Sequence, residues 1–145
     1  MFNTAFELSL RIILLLHAAK RKALSIDHIA AFDFITVYGK AFGVSSYSLN
    51  GENEFGFAGF AARRGRMQDA IKLLVLDGLV EVHRSSEGFL YTVSQRGEKY
   101  VSSLKTDYAS LYLDIAAITL ERYGECSGPG LVKEIGNIST GSLRR

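Results

Sequence analysis

The sequence predicts a mainly α-helical fold with one small β-hairpin, on the strength of three observations. Apolar residues recur every three or four positions along most of the chain, which is the spacing of amphipathic helices. Residues 80–83 and 89–93 instead alternate apolar and polar side chains around the turn-forming segment 84–88. Residues that favour helix N-caps precede the first helical stretch and also the one that follows the hairpin.

Length and composition set the limits for function. The 145 residues suffice for one domain with a buried core, and 48% hydrophobic with 22% charged residues is typical of a globular chain. The longest apolar run is far shorter than the roughly 20 residues of a membrane span. A single cysteine, Cys126, excludes an internal disulfide and favours a reducing cytoplasm. The net charge of +2 permits nucleic-acid binding without requiring it.

Two helices are predicted before a long loop. Thr4 and Glu7 form a capping box for a helix that runs to about Lys20, and Ser25 caps a second helix that runs to about Ala41. The loop that follows, up to about Gly56, is rich in Gly, Ser and Asn. Apolar residues in it and just after it indicate that it packs onto the domain: Tyr47, Leu49, Phe55 and Phe57.

A third helix is predicted to begin between Phe57 and Ala61 and to end at Gly78, because glycine fits the left-handed position past a helix C-terminus. After the hairpin, Ser94 caps a fourth helix. Thr106 or Asp107 starts a fifth, which continues through Tyr123.

We expect residues 1–125 to form a single domain. The Gly- and Pro-containing break that begins at Cys126 leaves 126–145 as a short C-terminal tail. Within it, 131–145 form either a short helix or a mobile segment.

This order of elements resembles a winged helix-turn-helix domain with flanking N- and C-terminal helices. Such domains bind DNA in some proteins and dock other proteins in others, so the resemblance leaves both functions open.

The first and last long helices carry apolar residues on more than one face. One interpretation makes the first helix the central core helix of the domain. The other places one side of each helix against a second chain, since two such helices are hard to bury within one copy. The residues predicted to form this partner interface are Leu8, Ile12, Leu15, Leu111, Ile115 and Ile118.

The third helix is the candidate for DNA contact. A helix that reads the major groove presents several hydrogen-bond donors on one exposed face, whereas Asp69 would face phosphates here and Leu73 and Leu76 would be partly exposed. Basic residues of this helix and the hairpin are candidates for phosphate contacts: Arg63, Arg64, Arg66, Lys72, His83 and Arg84. The alternative for the arginine cluster is a solvated helix start.

Catalytic motifs are missing from the sequence. The three histidines are scattered, one cysteine cannot build the usual zinc site, and there is no nucleophile elbow or phosphate-binding loop. Glu52 and Glu54 are interpreted as solvated loop residues, and Asp33, which lies among apolar residues, as a partly buried, paired carboxylate. We expect no enzymatic activity, no metal and no cofactor.

Four segments, 6–12, 31–39, 60–64 and 73–80, are similar in order and spacing to the middle component of ABC-three-component systems. This resemblance implies a non-enzymatic subunit that bridges an ABC ATPase of the structural-maintenance-of-chromosomes type and an effector, as in Lamassu-type anti-phage and anti-plasmid defence. It implies a cytoplasmic complex that reaches DNA mainly through its other subunits, a possible homodimer, and no membrane contact. The alternative is a dimeric winged-helix transcriptional regulator that binds DNA itself.

Overall fold

The computed structural model describes residues 4–49 and 57–143, with side chains for 4–49 and 59–138. Those residues form six helices and a two-stranded antiparallel sheet, which confirms the predicted mainly helical fold with a small hairpin. In chain order the elements are α1 (Ala5–Ala18), α2 (Ile26–Val37), α3 (Phe57–Leu76), β1 (Val80–Ser85), β2 (Gly88–Val93), α4 (Gln95–Ser103), α5 (Asp107–Tyr123) and α6 (Gly128–Leu143).

Four helices begin at the hydroxyl side chains that the sequence predicts as caps. Thr4, Ser25, Ser94 and Thr106 each accept a hydrogen bond from the backbone N–H three residues later, at 3.0–3.2 Å. Each cap satisfies a backbone donor that the first helical turn leaves without an intrahelical partner. The helix starts are therefore determined locally.

The second helix ends earlier than predicted. It stops at Val37 and not near Ala41, because the N–H groups of Val44 and Ser45 turn back to the carbonyl of Gly39. Of the loop residues predicted to pack down, Leu49 lies against the core and Tyr47 is exposed. The predictions for Glu52, Glu54, Phe55 and the Phe57 side chain fall outside the described part of the chain.

The third helix ends at Leu76, two residues before the predicted end at Gly78, and Gly78 takes the predicted left-handed conformation with a φ of 77°. The carbonyls of Leu74 and Val75 then accept from the N–H groups of Leu79 and Gly78, both at 3.0 Å. This closure turns the chain directly into β1, so the hairpin lies beside the C-terminal end of α3.

The hairpin pairs Val80 with Val93 and Val82 with Tyr91. On its outer edge, Tyr91 exchanges two backbone hydrogen bonds with Leu24, at 2.8 and 3.0 Å. The link between α1 and α2 thereby acts as a short third strand, which ties the hairpin to the helices.

The core surrounds α1, which α2, α3 and α5 cover from different sides. The stretch after Cys126 is the helix α6, and its Leu131 and Ile135 are buried against α2. Ser127 accepts from the N–H of Gly130 and so caps this helix. Of the two alternatives for 131–145, the described residues follow the helix; the domain boundary at 125 stays a prediction.

Candidate interaction surfaces

A charged cluster lies inside the protein and joins three helices. The Nε of Arg11 on α1 lies 2.9 Å from Asp33 Oδ1 on α2, and its Nη2 lies 3.2 Å from Oδ2. Tyr112 on α5 donates to Asp33 Oδ1 at 2.7 Å. All three residues are fully buried. The prediction of a paired carboxylate at Asp33 is therefore confirmed, with burial more complete than expected.

The protonation states of Arg11 and Tyr112 in this cluster are fixed by burial and by the charge of Asp33. Burial alone would lower the pKa of Arg11, but the charge of Asp33 and their hydrogen bonds outweigh it and raise the pKa above its ordinary value. Burial, reinforced by the Asp33 charge, raises the pKa of Tyr112 well above its ordinary value. Arg11 and Tyr112 thus remain protonated at neutral pH. None of the three side chains has accessible surface, so the cluster acts as a structural link between the three helices.

The partner interface predicted from helix faces is wrong for four residues. Leu8, Ile12, Leu15 and Ile115 are buried within the single chain, where α1 is enclosed by its neighbouring helices. The interpretation of α1 as the central core helix fits this burial. One copy does cover these faces, because α1 packs against α2, α3, α4, α5 and β2, and α5 packs against α1 and α2.

The remaining two interface candidates are exposed. Leu111 and Ile118 lie on the outer side of α5, with 41% and 37% of their surface accessible. They stay candidates for partner contact.

The phosphate-contact prediction is wrong for Arg63. Its side chain is buried, its guanidinium carbon lies 5.4 Å and 5.3 Å from the ring centroids of Phe34 and Tyr38, and its Nη2 donates to the Tyr38 hydroxyl. A guanidinium in this position cannot reach a phosphate at the surface. The alternative of a solvated side chain is equally wrong for Arg63.

The other basic candidates lie at the surface but do not form one patch. Arg64 Nε is paired with Asp27 Oδ1 at 2.7 Å, while Arg66 and Lys72 are exposed on α3. His83 and Arg84 are neighbours in β1, so they lie on opposite faces of the hairpin. The guanidinium of Arg84 lies over the ring of Phe89, at 5.8 Å.

Exposed apolar residues gather instead at the C-terminal end of α3, where the sequence predicted partial exposure of Leu73 and Leu76. Leu73 is 52% and Leu76 80% exposed, which confirms that prediction. Leu73 faces a hollow of about 280 Å³ toward Phe6 of α1. Leu76 borders a larger groove of about 520 Å³ between α3 and the hairpin.

We call this larger feature the α3–hairpin groove. Its wall carries Val82 and Phe89, which are 45% and 53% exposed. No carboxylate lines it, and its residues are Gln68, Ile71, Lys72, Val75, Leu76, Val82, Phe89 and Tyr91. Sequence reasoning missed the hairpin side of the groove, although the alternation of β1 and β2 already put Val82, Phe89 and Tyr91 on one face.

A hollow of about 1030 Å³, lined by both charged and apolar residues, lies on the opposite face of the hairpin. His17 Nδ1 lies 2.8 Å from Glu98 Oε2, and His83 Nε2 lies 2.7 Å from the Thr92 hydroxyl. Both signs of charge are mixed along its wall, so no single class of charged ligand is favoured.

Within residues 4–49 and 57–143, no three His, Cys, Asp or Glu side chains gather as a metal site requires. Nor does any helix there have the length and apolar character to cross a bilayer.

Taken together, the fold and surface define a small helical protein with a β-hairpin, a closed charged core and exposed apolar side chains beside the hairpin. Residues 1–145 match the family described as ABC-three component (ABC-3C) system Middle Component 2. The chain belongs to that family, and as the middle component of a multi-component system it has partner subunits. No curated protein and no solved structure matches it.

Proposed function

We propose that this chain is a non-enzymatic accessory subunit that bridges the other two components of its system, an ABC ATPase of the structural-maintenance-of-chromosomes type and an effector. The proposed complex acts in the cytoplasm in defence against phage or plasmids. The observation that carries the proposal is the exposed apolar end of α3, with Leu73 and Leu76 in solvent. Large apolar side chains that are left exposed together at one end of a helix support a site of protein contact.

The faces of α1 do not support a bridging role, because this chain covers them by itself. It rests on the whole-chain family match and on apolar surfaces that lie on two sides of α3. Two separate surfaces suit a subunit that holds two partners. The isolated chain is accordingly expected to be a stable, folded protein and not an insoluble one.

Co-expression of the three components tests this function. We expect the wild-type chain to co-elute with at least one other component in size-exclusion chromatography with light scattering. Leu76→Glu should remove that complex while leaving the circular dichroism spectrum unchanged, because Leu76 packs against little. Leu111→Glu tests the other candidate surface, on α5, and should keep the complex if the end of α3 is the docking surface. The reverse result would place the docking surface on α5, and a wild-type chain that binds neither component would overturn the proposal.

The alternative function, a dimeric DNA-binding regulator, is less well supported. Arg66 and Lys72 are exposed on α3, but the same side of the helix presents Asp69, Leu73 and Leu76. Because the Arg63 side chain is buried, α3 presents few free hydrogen-bond donors for base or phosphate contacts.

We also infer a winged-helix arrangement. The hairpin follows directly on α3, and Leu24 adds a short strand to β2 from the link between α1 and α2. These are the relationships that a winged helix-turn-helix domain requires.

A further inference from the structure

The open edge of β1 carries a second inference, which rests on the proposed function and specifies how a partner binds. Tyr91 uses its N–H and its C=O on the outer side of β2 to bond Leu24. Residues directly opposite in an antiparallel pair alternate between bonded and non-bonded pairs. The pair Val82 and Tyr91 is therefore a non-bonded pair of the hairpin.

The turn into β1 leads independently to the same assignment of bonded and non-bonded pairs. The carbonyl of Leu79 accepts from the N–H of Ser94 at 3.0 Å, so Leu79 bonds across the hairpin. Because bonded and non-bonded residues alternate, the odd-numbered residues of β1 also bond across the hairpin. The N–H and C=O groups of Val82 and Arg84 must then point away from β2. No other backbone group in the described residues bonds them. From Glu81 to Ser85, β1 is exposed along its whole length.

The α3–hairpin groove lies beside this open edge. Val82 and Phe89 face it from the hairpin, and Leu76 faces it from α3. An extended segment added to β1 would place every second side chain over this apolar wall. Strand addition would thus satisfy the free backbone groups and cover the exposed apolar residues in one step.

The charges around the groove indicate the chemistry of the occupant. Lys72 lines the groove, Arg84 lies over Phe89, and no carboxylate lines the groove. A second copy of this chain would bring further Lys72 and Arg84 side chains to the same face without a counter-charge. A partner segment with acidic residues beside its apolar ones fits better.

We propose that β1 accepts an extended strand of another component of the system, with apolar side chains in the α3–hairpin groove and carboxylates near Lys72 and Arg84. Backbone hydrogen bonds with Val82 and Arg84 fix the register of the partner strand, and the groove favours apolar side chains on it.

Val82→Pro tests the proposal directly. Proline removes the outward N–H of Val82 without removing a hairpin hydrogen bond, and edge strands tolerate it where the N–H faces solvent. Val82→Thr is the matched control, since it keeps the backbone donor and a β-branched side chain. With each of the other two components purified separately, we expect Val82→Pro to weaken binding by about 30-fold and Val82→Thr by less than about 3-fold.

Amide hydrogen exchange of the wild-type complex gives a readout that needs no variant. We expect the amides of Val82 and Arg84 to become protected on binding, whereas those of His83 and Ser85 are already bonded within the hairpin. Lys72→Glu should weaken binding by about 10-fold and Lys105→Glu, on an exposed lysine outside the groove, should not.

The outcomes separate this inference from the proposed function. If the wild-type chain binds a component while Val82 and Arg84 amides stay unprotected and Val82→Pro binds as tightly, strand addition is wrong and the accessory role stands. If the wild-type chain binds neither component, both fail. If the chain dimerises alone and Val82→Pro makes it monomeric, the occupant is a second copy, and the assignment to another component is overturned.

Discussion

Arg11 and Asp33 form a two-pronged ion pair in the centre of the protein, with Nε to Oδ1 at 2.9 Å and Nη2 to Oδ2 at 3.2 Å. Both side chains are fully buried, so each charge depends on the other for compensation. The pair connects α1 to α2, and Tyr112 connects α5 to the same carboxylate. Three helices are thereby held in one register by a single Asp.

Breaking this pair on one side should be costly. Asp33→Asn leaves the buried Arg11 guanidinium without a counter-charge and should lower the free energy of unfolding by about 3–5 kcal/mol. Arg11→Met should cost a similar amount, while the double variant should cost clearly less than the sum of the two. Urea unfolding of all four proteins measures this coupling. Strict additivity would show that the two groups do not depend on each other.

Tyr112 should make stability sensitive to alkaline pH. Its pKa is raised in the folded protein, mainly by burial, so the folded state holds the phenol proton more tightly than the unfolded chain. Its contribution is fully present below the unfolded pKa of about 10 and is lost as pH rises above that value. In Tyr112→Phe, the free energy of unfolding should fall less steeply above about pH 10. Urea unfolding at several pH values measures how the free energy of unfolding depends on pH in the wild type and in Tyr112→Phe. An equal dependence in the two proteins would show that the phenol of Tyr112 does not cause it.

Two isoleucines on α5 should differ strongly in how much stability they lose when replaced by glutamate. Ile115 is buried, so Ile115→Glu places an unpaired carboxylate in the core and should unfold the chain or cost more than about 4 kcal/mol. Ile118 lies at the surface, so Ile118→Glu should change stability by less than about 0.5 kcal/mol. Thermal unfolding followed by circular dichroism compares them. A folded Ile115→Glu protein that merely loses a partner would restore the interface predicted from the helix faces.

DNA affinity should depend on Arg66 and not on Arg63. Arg63 is buried beneath the surface of α3, whereas Arg66 is exposed. Arg66→Glu should therefore weaken binding to a short DNA duplex and reduce the salt dependence by about one counterion. Arg63→Met should leave both unchanged. Titrations by fluorescence anisotropy at several salt concentrations measure the slopes, and a loss of affinity in Arg63→Met would place that guanidinium at the surface.

Much of the fold was predictable because its signals are local. The caps at Thr4, Ser25, Ser94 and Thr106 depend on hydrogen bonds only three residues apart, and the Gly78 turn depends on one backbone conformation. The hairpin follows from alternation within fourteen residues, from Val80 to Val93. None of these features needs knowledge of what packs where.

The functional surface was less predictable. A helical wheel identifies apolar faces but not the number of elements that cover them, and the prediction for Leu8, Ile12 and Leu15 failed for that reason. The prediction for Arg63 failed for a similar reason, since its guanidinium packs over the rings of Phe34 on α2 and of Tyr38 just after it. The orientation of the free backbone groups of β1 depends on the bond between Leu24 and Tyr91, which joins residues 67 positions apart.

The sequence by itself determined the starts of four helices, the position of the hairpin, the pairing of a carboxylate at Asp33, and the exposure of Leu73 and Leu76. Each follows from short-range geometry or from the cost of burying a lone charge. Only the tertiary structure decided which apolar faces remain in water. Exposure depends on how far all neighbouring helices together cover a side chain, and that coverage is set by contacts between residues distant in the chain.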